Sequence, residues 1–125
     1  MNIDINYTLN LVEELINITS PAGDTAEAME RIEKEFNRLG LKIHKTNKGA
    51  IYGTLEGENS TKSRLVNAHI DTLGAIVKEI KPNGRLRLSS IGGYAWGSVE
   101  GETVYIKTRK NKVYTGTLLP DKASV

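Results

Sequence analysis

The sequence contains no cysteine among its 125 residues. That absence excludes a disulfide framework, a thiolate metal site and a cysteine nucleophile, so any bound metal must be held by histidine, aspartate or glutamate. Long apolar runs are missing too, because the amino terminus is acidic and then amphipathic, without a basic leader region or a membrane-spanning stretch. We therefore expect a cytoplasmic protein without a membrane partner.

An excess of charge of one sign is also missing. The chain has 17 Lys and Arg against 15 Asp and Glu, a net charge of +2, which is too small to indicate nucleic-acid binding through phosphate neutralisation. The basic cluster at residues 107–112 lies between two predicted strands and is better explained as a solvated hairpin tip. Otherwise 38% hydrophobic and 26% charged residues indicate an ordinary soluble chain, long enough for one small domain or parts of two.

Apolar spacing predicts two amphipathic helices near the amino terminus. Apolar residues recur at three- and four-residue steps through residues 7–18, and the loop at residues 19–23 ends that pattern with a proline and a glycine. Asp24 or Thr25 can cap a second helix, with Asp24 and Glu27 spaced as a capping box. Gly40 is placed to end it in a left-handed conformation.

The spacing changes after Gly40 from helical to alternating. Residues 41–45 and 50–55 flank the turn Asn47-Lys48-Gly49 and predict a hairpin. Residues 64–70 then form a mostly apolar run, which is typical of a strand buried on both faces of a sheet. Residues 1–72 are thus predicted to form an α/β layer.

From residue 73 onward the pattern is all-β. Short predicted strands at residues 74–80, 85–91, 103–107 and 112–118 favour a barrel or sandwich module over residues 73–125. No closing helix follows, so we expect the module to be incomplete. The glycine- and aromatic-rich stretch at residues 91–97 has two interpretations of equal weight: an interface near a neighbouring active site, or a packed loop between strands.

His69 and Asp71 are the candidate site residues, at the carboxyl end of the apolar run. Alternate positions on a strand project to the same side, so the Asp71 carboxylate can orient the His69 imidazole, as metal-binding histidines require. His-x-Asp alone is a weak signal, since most such histidines are structural. His44 has no acidic neighbour in sequence, and we assign it no role.

Four stretches together carry a family resemblance: residues 19–23 between the helices, 53–57 at the hairpin end, 68–77 around His69, and 84–86 leading to 91–93. In that order they make the whole chain resemble the amino-terminal part of the glutamyl aminopeptidase, or tetrahedral aminopeptidase, family. Its members are cytoplasmic metallopeptidases, some of which have been labelled endoglucanases. The resemblance spans nearly the whole chain.

The resemblance implies a zinc-peptidase-like α/β catalytic domain, of which residues 1–72 are the amino-terminal part. Residues 73–125 would be an inserted all-β module, a partial, PDZ-like barrel through which subunits form a homo-oligomer. His69 would bind one ion of a two-metal site, of zinc or cobalt, with Asp71 as its supporting catalytic carboxylate. Such a metal pair activates a water and polarises the scissile carbonyl of a peptide substrate.

In the family, the bridging carboxylate, the general-base glutamate and the other metal ligands lie beyond the inserted module, further along than Val125. The sequence therefore predicts a metalloaminopeptidase present as a truncated chain. On its own this chain is expected to be inactive and to bind metal weakly, because catalytic zinc needs about three protein ligands. The alternative is a non-catalytic binding or assembly module on the same scaffold.

Overall fold

A computed structural model describes residues 3–59 and 61–121. They belong to two compact units that divide after Gly92. Within the described residues the elements are α1 (Ile5–Ile16), α2 (Ala26–Arg38), β1 (Lys42–Lys45), β2 (Ile51–Thr54), β3 (Gly74–Ile80), β4 (Leu86–Ile91), a 3-10 turn (Trp96–Val99), β5 (Thr103–Lys107) and β6 (Val113–Thr117). The strands pair antiparallel as β1–β2, β3–β4 and β5–β6. The α/β class is thereby confirmed, and none of the described helices could cross a membrane.

Helix α1 begins two residues before the predicted position because Asp4 caps it. The Asp4 carboxylate accepts a hydrogen bond from the Tyr7 backbone N–H at 2.9 Å, which satisfies one of the free donors of the first turn. At the other end the Asn17 side chain donates to the Glu13 carbonyl at 2.7 Å. The helix therefore ends at Asn17, before the loop that contains Pro21.

Helix α2 has Thr25 as its N-cap, and the Thr25 side chain makes no capping hydrogen bond. Thr25 is one of the two caps predicted for this helix, and the capping box of Asp24 and Glu27 remains a prediction.

The predicted end of α2 at Gly40 is confirmed. Gly40 has φ +70°. Its N–H donates to the Asn37 carbonyl and the Leu41 N–H to the Phe36 carbonyl, both at 3.0 Å. These two bonds are the pair that defines a Schellman motif.

The two helices are joined by a polar network centred on Glu35, which is only 5% exposed. Its carboxylate accepts from the Tyr7 hydroxyl at 2.7 Å, from Arg38 Nε at 2.6 Å and from Arg31 Nη1 at 3.0 Å. Arg31 also forms a bidentate salt bridge with the Glu14 carboxylate on α1, with N–O distances of 2.6 and 2.7 Å. The Tyr7 hydrogen bond, followed by the Arg38 and Arg31 bonds, lowers the pKa of Glu35 to about 2.

Helix α1 is apolar on two opposite sides. One side is half-buried and contains Tyr7, Leu11 and Leu15, whereas the other is exposed and contains Ile5, Leu9, Val12 and Ile16. An apolar face of a helix normally packs against a neighbouring element. Within the described residues, the second side has no cover.

The predicted first hairpin is confirmed. Strands β1 and β2 pair with His44 opposite Tyr52, and the two rings stack with centroids 5.0 Å apart. Lys45 on β1 forms an ion pair of 2.6 Å with Glu33, which fastens the hairpin to α2. His44 is therefore half-buried against an aromatic ring.

The predicted buried strand at residues 64–70 is wrong for this chain. These residues form no strand, and Leu65 and Val66 are 89% and 94% exposed. A strand buried on both faces needs neighbours that supply hydrogen bonds and cover. Nearby, the described residues offer one isolated parallel bridge, between Pro21 and Thr72.

The predicted strands after residue 73 are found. Strands β3 and β4 turn through Gly84 at φ +80°, and β5 and β6 turn through Asn111 at φ +58°, so residues 107–112 are a hairpin tip as predicted. Each hairpin pairs only within itself in the described part of the chain. A PDZ-like dimerisation module and a domain boundary at residue 72 remain predictions.

The stretch at residues 91–97 leads from the end of β4 into the 3-10 turn. Tyr94 meets Trp96 edge to face, with ring centroids 5.3 Å apart. Trp96 nevertheless remains 43% exposed. Both interpretations of this stretch therefore stay open.

Candidate functional site

The two predicted site residues lie in contact. His69 Nδ1 and Asp71 Oδ1 are 2.9 Å apart, and the side chains are 83% and 52% exposed. A carboxylate only accepts hydrogen bonds, so this contact places the proton on Nδ1 and leaves the Nε2 lone pair of a neutral imidazole free. The contact was predicted from the alternation of side chains on a strand. Residues 69–71 are instead irregular backbone, and the two side chains still meet.

Ser20 fixes the backbone on both sides of Asp71. Its hydroxyl donates to the Ile70 carbonyl at 2.5 Å, and its N–H donates to Thr72 Oγ1 at 3.1 Å. The Thr72 N–H returns a bond of 3.0 Å to the Ser20 carbonyl. Since Ser20 is 0% exposed, these bonds are shielded from competing water.

Two glycines allow the chain to close around this contact. A Cβ added at Gly74 would lie 2.7 Å from the Pro21 Cβ. A Cβ added at Gly92 would lie 2.7 Å from Leu73 Cδ2, and Gly92 has φ +91°, which other residues rarely adopt. The segment that follows Asp71 is therefore held between the helix loop and the end of β4.

Sequence reasoning missed Ser20 and Thr72 as positioning residues. The proline and glycine of the loop at residues 19–23 explain it as a helix stop without any distant contact. Ser20 and Thr72 are 52 positions apart. No local pattern signals a contact over such a separation, although both residues lie in or beside the stretches that carry the family resemblance.

Among the described residues, His69 is suited to serve as one metal ligand. Neutral imidazole nitrogen is a good donor for zinc or cobalt, and an Asp that holds the other ring nitrogen is the usual support for such a ligand. Among the described residues no group of three or more His, Asp or Glu side chains is placed to hold an ion. A cleft of about 380 Å³ lies elsewhere, between the start of α2 and the first hairpin, and contains neither His69 nor Asp71.

The M42 glutamyl aminopeptidase family model matches residues 49–125, a span that includes His69 and Asp71. The chain belongs to that family. This confirms the resemblance drawn from the sequence, and it makes the chain a member of a peptidase family.

One relative is "Putative aminopeptidase YhfE" of Bacillus subtilis (strain 168). It is 41% identical over 121 residues, covering 97% of this chain and 35% of the relative. The family member described here thus spans about a third of the length of that protein.

Solved structures show the same fold. The TET aminopeptidase from the marine sediment archaeon Thaumarchaeota archaeon SCGC AB-539-E09 matches with a TM-score of 0.81 at 20% identity, covering 96% of this chain and 33% of that one. Aminopeptidase APDkam598 from the archaeon Desulfurococcus kamchatkensis also matches with a TM-score of 0.81, at 21% identity, covering 90% and 31%. At these identities the likeness concerns the fold.

Proposed function

We propose that this chain provides the first metal ligand of a metal-dependent aminopeptidase that removes amino-terminal residues from peptides. His69 binds one divalent ion, zinc or cobalt, through Nε2, and Asp71 holds the ring through Nδ1. The observation that carries the proposal is the 2.9 Å contact between Nδ1 and the Asp71 carboxylate, within the span that the peptidase family matches. Bound metal would supply an activated water and polarise the peptide carbonyl.

Within the proposed site, His69 binds the ion and Asp71 orients the imidazole ring of His69. The general base and the remaining ligands are expected in the two-thirds of the family fold that this chain does not match. The isolated chain is therefore proposed to be inactive and to bind metal weakly. Subunit association through strands β3 to β6 and a cytoplasmic location belong to the same proposal.

The first test uses the isolated chain. Calorimetric titration with zinc or cobalt is expected to show no tight stoichiometric binding, and incubation with short peptides is expected to release no amino-terminal residue. Tight binding of one ion per chain would contradict the expectation that one ligand is too few. Light scattering of the same sample tests association, and a strictly monomeric chain would contradict the oligomer.

The second test uses a chimera in which this chain replaces the matched third of the Bacillus subtilis relative. If that relative hydrolyses peptides, the chimera is expected to do so with metal, and chelation or His69→Ala should abolish the activity. Asp71→Asn should weaken metal binding by about 10- to 100-fold, as is typical when the partner of a ligating histidine is lost. His44→Ala is the matched control, because His44 stacks on Tyr52 and is expected to leave activity unchanged. Full activity of the His69→Ala chimera would refute the proposed ligand.

A further inference from the structure

The turn between β3 and β4 contains Asn83 followed directly by Gly84. The chain has ten asparagines, and Asn83 is the only one that precedes a glycine. The backbone nitrogen that follows an asparagine can attack the amide carbon of its side chain, and a glycine nitrogen is the least screened because glycine has no side chain. This turn is therefore a place where the chain can change its own covalent structure.

The space around the Gly84 nitrogen is open. Asn83 and Gly84 are both exposed. A Cβ built on Gly84 would meet nothing within 4 Å apart from its chain neighbours. Gly84 has φ +80°, a conformation that other residues rarely adopt, so the turn itself requires glycine after Asn83.

A hydrogen bond polarises the side-chain carbonyl of Asn83. Its Oδ1 accepts from the backbone N–H of Arg85 at 3.1 Å. A donor at that oxygen stabilises the negative charge that develops there when a nucleophile adds to the carbonyl carbon. The same bond keeps the Asn83 side chain over the two residues that follow it, on the side of the attacking nitrogen.

One contact opposes the attack. The Gly84 N–H donates to the Lys81 carbonyl at 2.9 Å, and the nitrogen must leave that bond before it reacts. At an exposed hairpin tip, local opening requires little free energy. We therefore expect this contact to slow the reaction without preventing it.

We propose that Asn83 is a site of spontaneous deamidation. The Gly84 nitrogen loses its proton to hydroxide and bonds to Asn83 Cγ, the bond from Cγ to Nδ2 breaks, and ammonia leaves a five-membered succinimide. Water then opens this ring at either carbonyl. Opening at Cγ gives aspartate with the normal backbone, and opening at the main-chain carbonyl carbon gives isoaspartate. The proposal is independent of the proposed function, because it requires neither metal nor peptide hydrolysis.

The two products affect the turn differently. Each adds a carboxylate between Lys81 and Arg85. Aspartate is as well suited to turns as asparagine. Isoaspartate adds a backbone atom inside a turn that is closed by the 2.8 Å bond from the Lys81 N–H to the Arg85 carbonyl. Because turn geometry sets the register of a hairpin, we expect isoaspartate to open the tip and aspartate to preserve it.

Asn111 is the matched comparison within the chain. It is also exposed and lies in a hairpin turn, between β5 and β6, with φ +58°. The next residue is Lys112, whose N–H donates to Thr108 Oγ1 at 3.0 Å and whose Cβ screens the nitrogen. The turns are thus alike in exposure and differ in the residue that follows asparagine.

The test incubates the full chain at mildly alkaline pH and follows each asparagine by peptide mapping with mass spectrometry. Asn83 is expected to gain the mass difference between an amide and a carboxylic acid. Its rate should be within about 10-fold of that in a synthetic peptide of residues 78–88, because the folded tip opens easily. Asn111 should stay intact over the same period. Asn83→Gln should abolish the change, because glutamine would have to close a larger ring.

Hydrogen exchange distinguishes the effects of the two products. In the isoaspartate form, separated by chromatography, the Lys81 amide is expected to lose its protection. Asn83→Asp carries the same added charge on a normal backbone and should keep that protection.

Two results would overturn the proposal. The first is an intact Asn83 in the chain when the peptide has converted fully, which would show that the folded turn blocks the attack. The second is conversion of Asn83 and Asn111 at the same rate, which would show that Gly84 does not make this turn special. Equal protection of the Lys81 amide in the isoaspartate form and in Asn83→Asp would contradict the expected opening of the tip.

Discussion

The helix pair and the His69 segment lie in the same compact unit and are held in opposite ways. Between the helices, Glu35 has three hydrogen-bond partners and Arg31 bonds to carboxylates on both helices. The segment around His69 is fixed on its carboxyl side by Ser20 and has no backbone partner on its amino side within the described residues. The helices therefore find their bonding partners in each other, whereas the His69 segment is held at its carboxyl end only.

The anchored side of the segment should be the most sensitive to added volume. Gly74→Ala places a methyl group 2.7 Å from the Pro21 Cβ, and a proline ring has little room to move. We expect a loss of about 2 kcal/mol in the free energy of unfolding, measured by urea denaturation. Gly57→Ala is the control, since nothing lies within 4 Å of its new Cβ. Equal losses in both variants would contradict the close contact.

Removing the Ser20 hydroxyl should have the next largest effect. Ser20→Ala deletes the donor to the Ile70 carbonyl within a fully buried position, and we expect a loss of about 1 to 2 kcal/mol. Ser98→Ala removes a similar hydroxyl-to-carbonyl bond at an exposed position and should change stability by less than about 0.5 kcal/mol. If the two variants lose the same stability, burial does not strengthen the Ser20 bond.

The helix pair is tested by pH. Because the pKa of Glu35 is lowered from 4.5 to about 2, its contribution is present above 4.5 and is lost as pH falls through about 2. Glu35→Gln should remove that part of the acid dependence, with a moderate loss near neutral pH, since glutamine still accepts the Tyr7 hydrogen bond. The free energy of unfolding is measured by urea denaturation at several pH values. Glu30→Gln, at an exposed position, is the control and should keep the wild-type dependence of the unfolding free energy on pH. If Glu35→Gln also kept that dependence, the Glu35 network would not be its source.

The smallest change is expected at the site itself. Asp71→Asn should leave the urea midpoint unchanged, because a substitution at an exposed polar contact changes stability little. It should redistribute the His69 proton from Nδ1 toward Nε2, which nitrogen NMR of the imidazole resolves. His44, stacked on Tyr52, supplies the unchanged reference in the same spectrum. An unaltered His69 tautomer would show that Asp71 does not fix the ring.

Local elements were predictable from the sequence for a physical reason. Periodic apolar residues, Gly40 at a helix end and glycine- or asparagine-containing turns act within a few residues of themselves, and the helices and hairpins formed where these signals lie. Of the two caps predicted for α2, Thr25 is the one next to the first helical residue, and the sequence could not choose between them because Asp24 and Thr25 are both suitable cap residues.

The candidate site was predictable only in part. His69 and Asp71 are close in sequence, so their contact was within reach of spacing arguments. The strand at residues 64–70 was predicted from composition, yet composition specifies a burial preference and not the neighbours that satisfy it. Ser20 and Thr72 depend on a contact between distant segments, which a single sequence does not encode in any local pattern.

The Ser20 contact also sets an order of events during folding. It closes a loop of about 50 residues, whose closure entropy must be overcome by bonds that form only once both ends meet. The helices and the first hairpin lie inside or beside that loop and can form from local contacts much earlier. His69 is therefore expected to reach its final position late, after the framework that holds it is already folded.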